Sequence, residues 1–209
     1  MSLTATMTGS FNKLEVFQLF CQRQKWSQPV VVQYGSQTVW MTNVTGKSCD
    51  KSRYSRENIW IDAETGAVSF DGDYRRYLQP CLDKLYDPEG KDANGVSHPS
   101  NEWNRCDVQI TLQREGLREG QDFDFVGEGD NQKIRLFSRN QGQMEESILI
   151  SFKGGQVLLE GEGFTGRSCR EAVEKAAQML RMTESKPPEL KPEYYQAEPK
   201  IREATHERS

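Results

Sequence analysis

Residues 147–160 read SILISFKGGQVLLE, and this pattern predicts a β-hairpin. Strand-like runs at 147–152 and 156–160 flank Lys153-Gly154-Gly155, where glycine accepts the positive φ of a tight turn. Further along, small and apolar residues recur at helical spacing: Cys169, Ala172, Val173, Ala176, Met179 and Leu180. Such a stripe predicts a helix with one buried face. The segment is therefore predicted to be a hairpin followed by a helix.

The preceding region carries both periodicities as well. Apolar residues at three- and four-residue spacing predict three helices, the first capped by Ser10, the second over 73–86 around Pro80, and the third over 101–116. Alternating runs bounded by turn residues predict six strands, at 30–32, 37–44, 58–61, 67–70, 122–126 and 133–138. Residues 87–100, rich in Pro, Gly, Asn and Asp, are predicted to form a loop. Antiparallel hairpins and helices in separate runs predict an α+β fold.

Three regions are expected along the chain. A mixed domain covers residues 1–143, a hairpin-helix unit with a tyrosine motif covers 144–196, and an extended, flexible tail covers 197–209. Units below about 70 residues rarely support their own core, so the second region is expected to pack on the larger domain or on another subunit. Tyr194 and Tyr195 are the predicted anchors of its polar end.

Composition and cysteine usage predict a cytoplasmic protein. No run among the 209 residues approaches the ~18 consecutive apolar residues of a membrane helix, and the first ten residues lack the features of a signal peptide. The five cysteines form no C-x-x-C pair, which argues against a disulfide framework and against a metal site. With only His98 and His206 present, a nucleophile–histidine catalytic set is not expected.

The connection between the predicted hairpin and helix holds the candidate binding residues, which are Gly163, Gly166, Arg167, Ser168 and Cys169, joined by Tyr194 and Tyr195 in the tail. Residues 161–166 match G-x-G-x-x-G, but no second parallel strand follows, so we interpret the glycines as a sharp turn rather than a dinucleotide site. Ser168 and Glu171 predict a capping box. Arg167 and the first helix amides can hold an anion. Cys169 is either a reactive thiol or, as we prefer, a small buried residue.

A cluster of positive charge lies between residues 47 and 56. Its members are Lys47, Lys51, Arg53 and Arg56, with Tyr54 and Trp60 nearby. Cations interleaved with aromatic residues are typical of nucleic-acid binding. The sequence pI near 5.4 argues against it, because neutralising phosphates requires a concentrated positive face.

The C-terminal segment resembles a known family. Residues 147–196 contain two strands, the turn Gly163-Phe-Thr-Gly-Arg-Ser-Cys169, an alanine-rich helix and Pro192-Glu193-Tyr194-Tyr195-Gln196. This arrangement is similar to the bacterial and cyanobacterial family known as domain of unknown function 2997, except that residues 182–191 form a longer link. Residues 117–137 more weakly resemble a companion family of cyanobacteria and plastids, also uncharacterised. Neither resemblance implies an activity, and together they imply two small partners fused in one chain.

These features predict an accessory or interaction protein without catalytic residues or a cofactor. We expect it to dock to a protein partner or to a second copy of itself through exposed strand edges and the tyrosine-bearing tail. One alternative is a small-ligand or thiol-redox protein that uses the turn from Gly163 to Cys169. The other is a nucleic-acid-binding module that uses residues 47–56.

Overall fold

The computed structural model describes residues 3–5, 10–44, 57–70, 75–138, 146–164 and 166–182. These residues form four α-helices and three antiparallel sheets, which confirms the α+β prediction. The helices are α1 (Leu14–Gln24), α2 (Arg75–Leu85), α3 (Asn101–Arg114) and α4 (Arg167–Met179). None of the helices in these ranges is long and apolar enough to cross a membrane.

The first sheet has five strands in the order β1-β5-β4-β3-β2. Their bounds are β1 (Leu3–Ala5), β2 (Val30–Tyr34), β3 (Gln37–Val44), β4 (Glu57–Asp62) and β5 (Val68–Phe70). Alternation along β3 and β4 turns Trp40, Ile59 and Ile61 toward α1, which buries Phe17 and Phe20 against them in the first core. The predicted hairpins on either side of Gly35 and Gly66 are both present, and both glycines have positive φ.

The second sheet has four strands in the order β11-β10-β9-β8. Its strands are β8 (Phe123–Val126), β9 (Lys133–Phe137), β10 (Ser147–Lys153) and β11 (Gln156–Glu162). Because β10 pairs with β9, the expected division at residue 143 falls between two neighbouring strands of one sheet. The C-terminal hairpin and α4 therefore share a core with the preceding residues rather than standing alone.

Helix α3 lies between the two cores. Trp103 and Cys106 belong to the first core, whereas Val108 and Leu112 belong to the second. Its polar side chains hold two turns of the second sheet: Asn104 donates to the Gly155 carbonyl at 3.0 Å, and Arg105 donates from Nε to the Gln132 carbonyl at 3.0 Å. The two sheets are thus joined through one helix that is buried on two sides.

Two local expectations were wrong. Ser10 does not cap α1, because Ser10–Asn12 form a 3-10 turn and Lys13 is extended at the helix start. That turn places Phe11 in stacking contact with Trp103, at 3.9 Å between ring centroids. The predicted loop at 87–100 instead contains a third sheet, a hairpin of β6 (Tyr86–Lys91) and β7 (Ser97–Pro99). Asp92 closes it by accepting the amides of Asn94 and Val96.

The cysteines also depart from expectation. Cys81 is disulfide-bonded, whereas Cys21, Cys106 and Cys169 are free. Because disulfides persist mainly in oxidising environments, the cysteine pattern no longer supports a reducing compartment.

Candidate functional site

The glycine turn between β11 and α4 places its residues on different sides of the chain. Gly163 is exposed with φ of 78°, Phe164 is buried in the second core, and Gly166 is buried with φ of 61°. Such positive φ values favour glycine, which confirms the interpretation of a sharp turn. Arg167 is exposed at the start of α4.

The predicted capping box is wrong. Gly166 is the N-cap of α4 and has no side chain to make a capping hydrogen bond. Ser168 is already the second residue of the helix. Phe164 is buried, and Gly166 has a conformation that only glycine adopts easily. Together they start the helix before Ser168, with Gly166 in the N-cap position. Glu171 is exposed on the first turn.

Cys169 points toward the sheet. A Cβ added to Gly161 of β11 would lie 2.6 Å from the Cys169 sulfur and 3.2 Å from the Phe164 ring, so the sulfur occupies the space above that glycine. Cys169 packs against the second core together with Ala172. Cys169 thus has the contacts of a small apolar residue, but it is partly and not fully buried.

Two other thiols are also poor candidates for redox chemistry. Burial raises the pKa of Cys21 and of Cys106 to about 12. Since the thiolate is the reactive form, both are protonated at neutral pH. Within the described ranges, no three His, Cys, Asp or Glu side chains are grouped so that they could hold a metal ion.

A groove of about 300 Å³ lies at the opposite end of α4 from the glycine turn. Its lining residues are Lys13, Asp107, Thr111, Arg114, Glu115, Leu180 and Arg181. Lys13 pairs with Asp107 at 2.8 Å, and Arg114 pairs with Glu15 at 2.9 Å. Because these cations already have acidic partners within the chain, the groove does not present a strong field to an anion.

The remaining predicted residues cannot be placed. Tyr194, Tyr195 and the basic stretch 47–56 lie outside the described residues. Their proposed roles stay predictions from the sequence.

The most unusual surface in the described part of the chain is strand β2. Four large apolar side chains are exposed among the described residues, and three of them lie on this strand: Val30 is 51% exposed, Val31 55% and Tyr34 70%. β2 is the last strand of the five-stranded sheet and pairs on one side with β3. On its other side no strand of the described residues pairs with it, so β2 forms a sheet edge with outward-facing backbone donors and acceptors.

The outer face of the sheet extends this apolar surface. Val30 lies opposite Met41, which lies opposite Trp60, and Val32 lies opposite Val39. The Tyr34 ring lies 6.4 Å from the Trp60 ring on the same face. We call these residues the β2 patch: Val30, Val31, Val32, Tyr34, Met41 and Trp60. Val31 is its one member on the side facing α1, at the margin of the sheet.

The β2 patch contains no charged side chain. No Asp, Glu, Lys, Arg or His occurs in residues 26–44, although 28% of the chain is charged. At that share the stretch would hold about five charged residues, yet it holds none, even on its exposed outer strand β2. The sequence contains this signal, whereas the alternation of residues predicts a strand without telling whether it lies at an edge.

A carboxylate lies in the same sheet at Asp62, opposite Val39, and hydrogen bonds stabilise its charged form. Asp62 accepts hydrogen bonds from the Thr65 amide at 2.6 Å and the Glu64 amide at 3.0 Å, and Gln37 donates to its other oxygen. These contacts, with the Thr65 amide foremost, lower the pKa of Asp62 despite its burial. One oxygen of this carboxylate is therefore held by the turn between β4 and β5, and the other by Gln37, which lies opposite Tyr34.

In comparison with known proteins, the chain matches no family model, no curated protein and no solved structure. The resemblance of residues 147–196 to the uncharacterised family thus stays a prediction. What this chain does has to be argued from the surface just described.

Proposed function

We propose that this protein is a non-catalytic docking protein that binds another polypeptide at β2. The observation that supports the proposal is an edge strand that carries no charge and exposes three large apolar side chains, Val30, Val31 and Tyr34. In such binding, an extended segment adds a strand to the sheet, so that main-chain hydrogen bonds supply affinity and side-chain contacts supply selectivity. The outward-facing Val30, Val32 and Tyr34 would form those contacts.

The second sheet supports this interpretation by contrast. Its outer strand β11 also exposes a large apolar residue, Leu158 at 44%. However, β11 carries Glu160 and Glu162, and Lys153 lies across the turn from it. Charged side chains on an edge strand oppose unwanted pairing, and proteins use them for this purpose. An edge without them is better suited to bind than to remain free.

The alternatives have less support. The packing of Cys169 over Gly161 favours a structural thiol over a reactive one. Nucleic-acid binding by residues 47–56 rests on a segment outside the described residues. The tyrosine motif at Tyr194 and Tyr195 is a second predicted contact with the partner and is secondary to β2 in this proposal.

Site-specific photo-crosslinking in the native host tests the proposal. A photoreactive phenylalanine derivative replaces Tyr34, which is aromatic and 70% exposed, so the replacement leaves the fold intact. The matched control carries the same derivative at Leu158, on the charged edge. We expect protein adducts from position 34 and few from position 158. Equal adduct yields from both positions, or none from position 34, would contradict docking at β2.

A further inference from the structure

We infer that the polypeptide bound at β2 is a second copy of this chain, and that two β2 strands pair antiparallel about a two-fold axis at Val32. This inference rests on the proposed function and names the partner. Pairing in this way would join two five-stranded sheets into one continuous sheet of ten strands. Both copies of α1 would lie on one face and both outer faces on the other, because opposed residues in an antiparallel pair share a face.

The absence of charge is the first reason to choose a second copy. A partner recognised by opposite charge would require a field on this surface, but residues 26–44 contain no charged side chain. An identical strand, in contrast, meets itself without placing like charges in opposition. The uncharged β2 strand of one copy is thus well suited to pair with the uncharged β2 strand of a second copy.

The side chains of the five-residue strand are also self-complementary. An axis at the central residue, Val32, uses all five residues and sets Val30 against Tyr34 of the second copy. Aromatic and β-branched residues form favourable cross-strand pairs. On the other face, Val31 would lie against Gln33, so the half-exposed Val31 would lose solvent contact. Any shift of the axis along the strand would leave some of these residues unpaired.

The size of the contact sets the expected strength. Stable interfaces bury about 1,200–2,000 Å² in total, and a five-residue strand pair with flanking side chains reaches the lower end at most. We therefore expect a reversible dimer whose dissociation constant lies between about 1 μM and 1 mM. Dimerisation should accordingly depend on protein concentration.

Sedimentation analysis of the full chain over this concentration range tests the inference. The test variant is Val31→Lys, and Leu158→Lys is the matched control, because each places one cation on an exposed apolar position of an outer strand. We expect a monomer–dimer equilibrium for the unaltered chain and for Leu158→Lys, and a dissociation constant at least about tenfold weaker for Val31→Lys. A monomer at all concentrations up to about 1 mM, or a dimer that Val31→Lys leaves unchanged, overturns the inference.

A cysteine pair tests the register and does not depend on the lysine variant folding. In the proposed dimer, Val32→Cys places two sulfurs across the axis, within the ~4.4–6.8 Å Cα separation that a disulfide spans. Val30→Cys places its two copies about 13 Å apart along the strand. We expect mild oxidation to link Val32→Cys and not Val30→Cys, with the unaltered chain correcting for the free native thiols. Equal linking of both variants overturns the register.

The two proposals can fail separately. A chain that is monomeric in sedimentation, but crosslinks from position 34 to a different protein, refutes the second copy while leaving docking at β2 intact. A chain that is monomeric and gives no crosslink refutes both.

Discussion

The two larger sheets among the described residues each bury one face against helices, yet they do so with different residues. The first core is built largely from aromatic rings, with Phe11, Phe17 and Phe20 all contacting Trp103. The second consists mainly of aliphatic side chains such as Ile134, Ile148, Ile150, Leu112 and Leu136. One helix, α3, contributes to both cores. A single element can therefore complete two cores of different chemistry if its apolar residues lie on two sides.

The outer strands differ more sharply than the cores. β11 combines the exposed Leu158 with Glu160 and Glu162, whereas β2 combines Val30, Val31 and Tyr34 with no charge. Of these two edge strands, β11 is thus protected by charge and β2 is not. Because charged side chains on an edge strand oppose unwanted pairing, their absence on β2 supports the proposal that β2 is a contact surface.

The largest effect is expected for Leu112→Ala, which tests whether α3 couples the two cores. Leu112 is fully buried in the second core, so its truncation should lower the free energy of unfolding by about 3–4 kcal/mol. All four tryptophans lie in or beside the first sheet and α3, at positions 26, 40, 60 and 103. Urea unfolding followed by tryptophan fluorescence should therefore shift as far as unfolding followed by far-UV circular dichroism.

The exposed Leu158→Ala is the control for Leu112→Ala and should change stability by less than about 0.5 kcal/mol. A fluorescence midpoint that stays in place, while circular dichroism becomes biphasic for Leu112→Ala, would mean that the cores unfold independently. The two halves would then be two domains that unfold independently.

A smaller effect is expected for Arg105→Met, which tests the polar junction between the halves. Arg105 is only 2% exposed, pairs with Glu102 and donates to the carbonyls of Asp130 and Gln132. Methionine keeps much of the side-chain volume but removes these donors, at a cost of about 2–4 kcal/mol. Glu102 retains its contact with Arg23 at 3.2 Å, which limits the penalty. Urea unfolding measures the loss.

Arg170→Met provides the control for the arginine, because Arg170 pairs with Glu174 on the exposed face of α4. Its loss should cost no more than about 1 kcal/mol. Amide exchange should also rise selectively in residues 129–132 of Arg105→Met, since their carbonyls lose the guanidinium. An Arg105→Met variant as stable as Arg170→Met would show that the junction is held by apolar packing alone.

Local patterns predicted most of the secondary structure. The hairpin turns at Gly35, Gly66 and Gly154-Gly155 follow from glycine's access to positive φ, and the structure has positive φ at each. The helix over 101–116 was recognisable from its spacing, and Ser100 caps it by accepting the Trp103 amide. These features depend on residues close together in sequence, which is why they could be read without a structure.

What failed depended on contacts between distant residues. Gly166, and not the predicted Ser168, is the N-cap of α4, because Phe164 is buried in a core formed by other elements. The two-sided burial of α3 could not be seen either, since Trp103 and Leu112 require two separate sheets to define their faces. The exposure of β2 has the same origin: strand order is tertiary information. Of the predicted site residues, Gly163 and Gly166 lie in the turn before α4, Arg167, Ser168 and Cys169 form the first turn of α4, and the proposed site lies in the first sheet.

The smallest effect concerns two helix ends, one in each half. Lys25 and Arg181 have φ of 58° and 54°, the left-handed region that favours glycine. In each case the following amide reaches back into the last turn at 2.9 Å, Trp26 to Cys21 and Met182 to Ala177. Lys25→Gly should raise the free energy of unfolding by about 0.5–1 kcal/mol, and Arg181→Gly equally, because both remove the same backbone strain.

Thermal and urea unfolding measure the change in stability of both glycine variants. The controls are Lys25→Ala and Arg181→Ala, which keep the Cβ. The alanine variants should show no gain, since their φ preference matches that of the native residues. Trp26 packs edge-on against Phe20 in the first core, 5.4 Å between ring centroids, so the end of α1 is held by more than its hydrogen bonds. A gain at Lys25 without one at Arg181 would therefore show that the end of α4 opens before the protein unfolds, and that the half with the protected edge is the less firmly closed of the two.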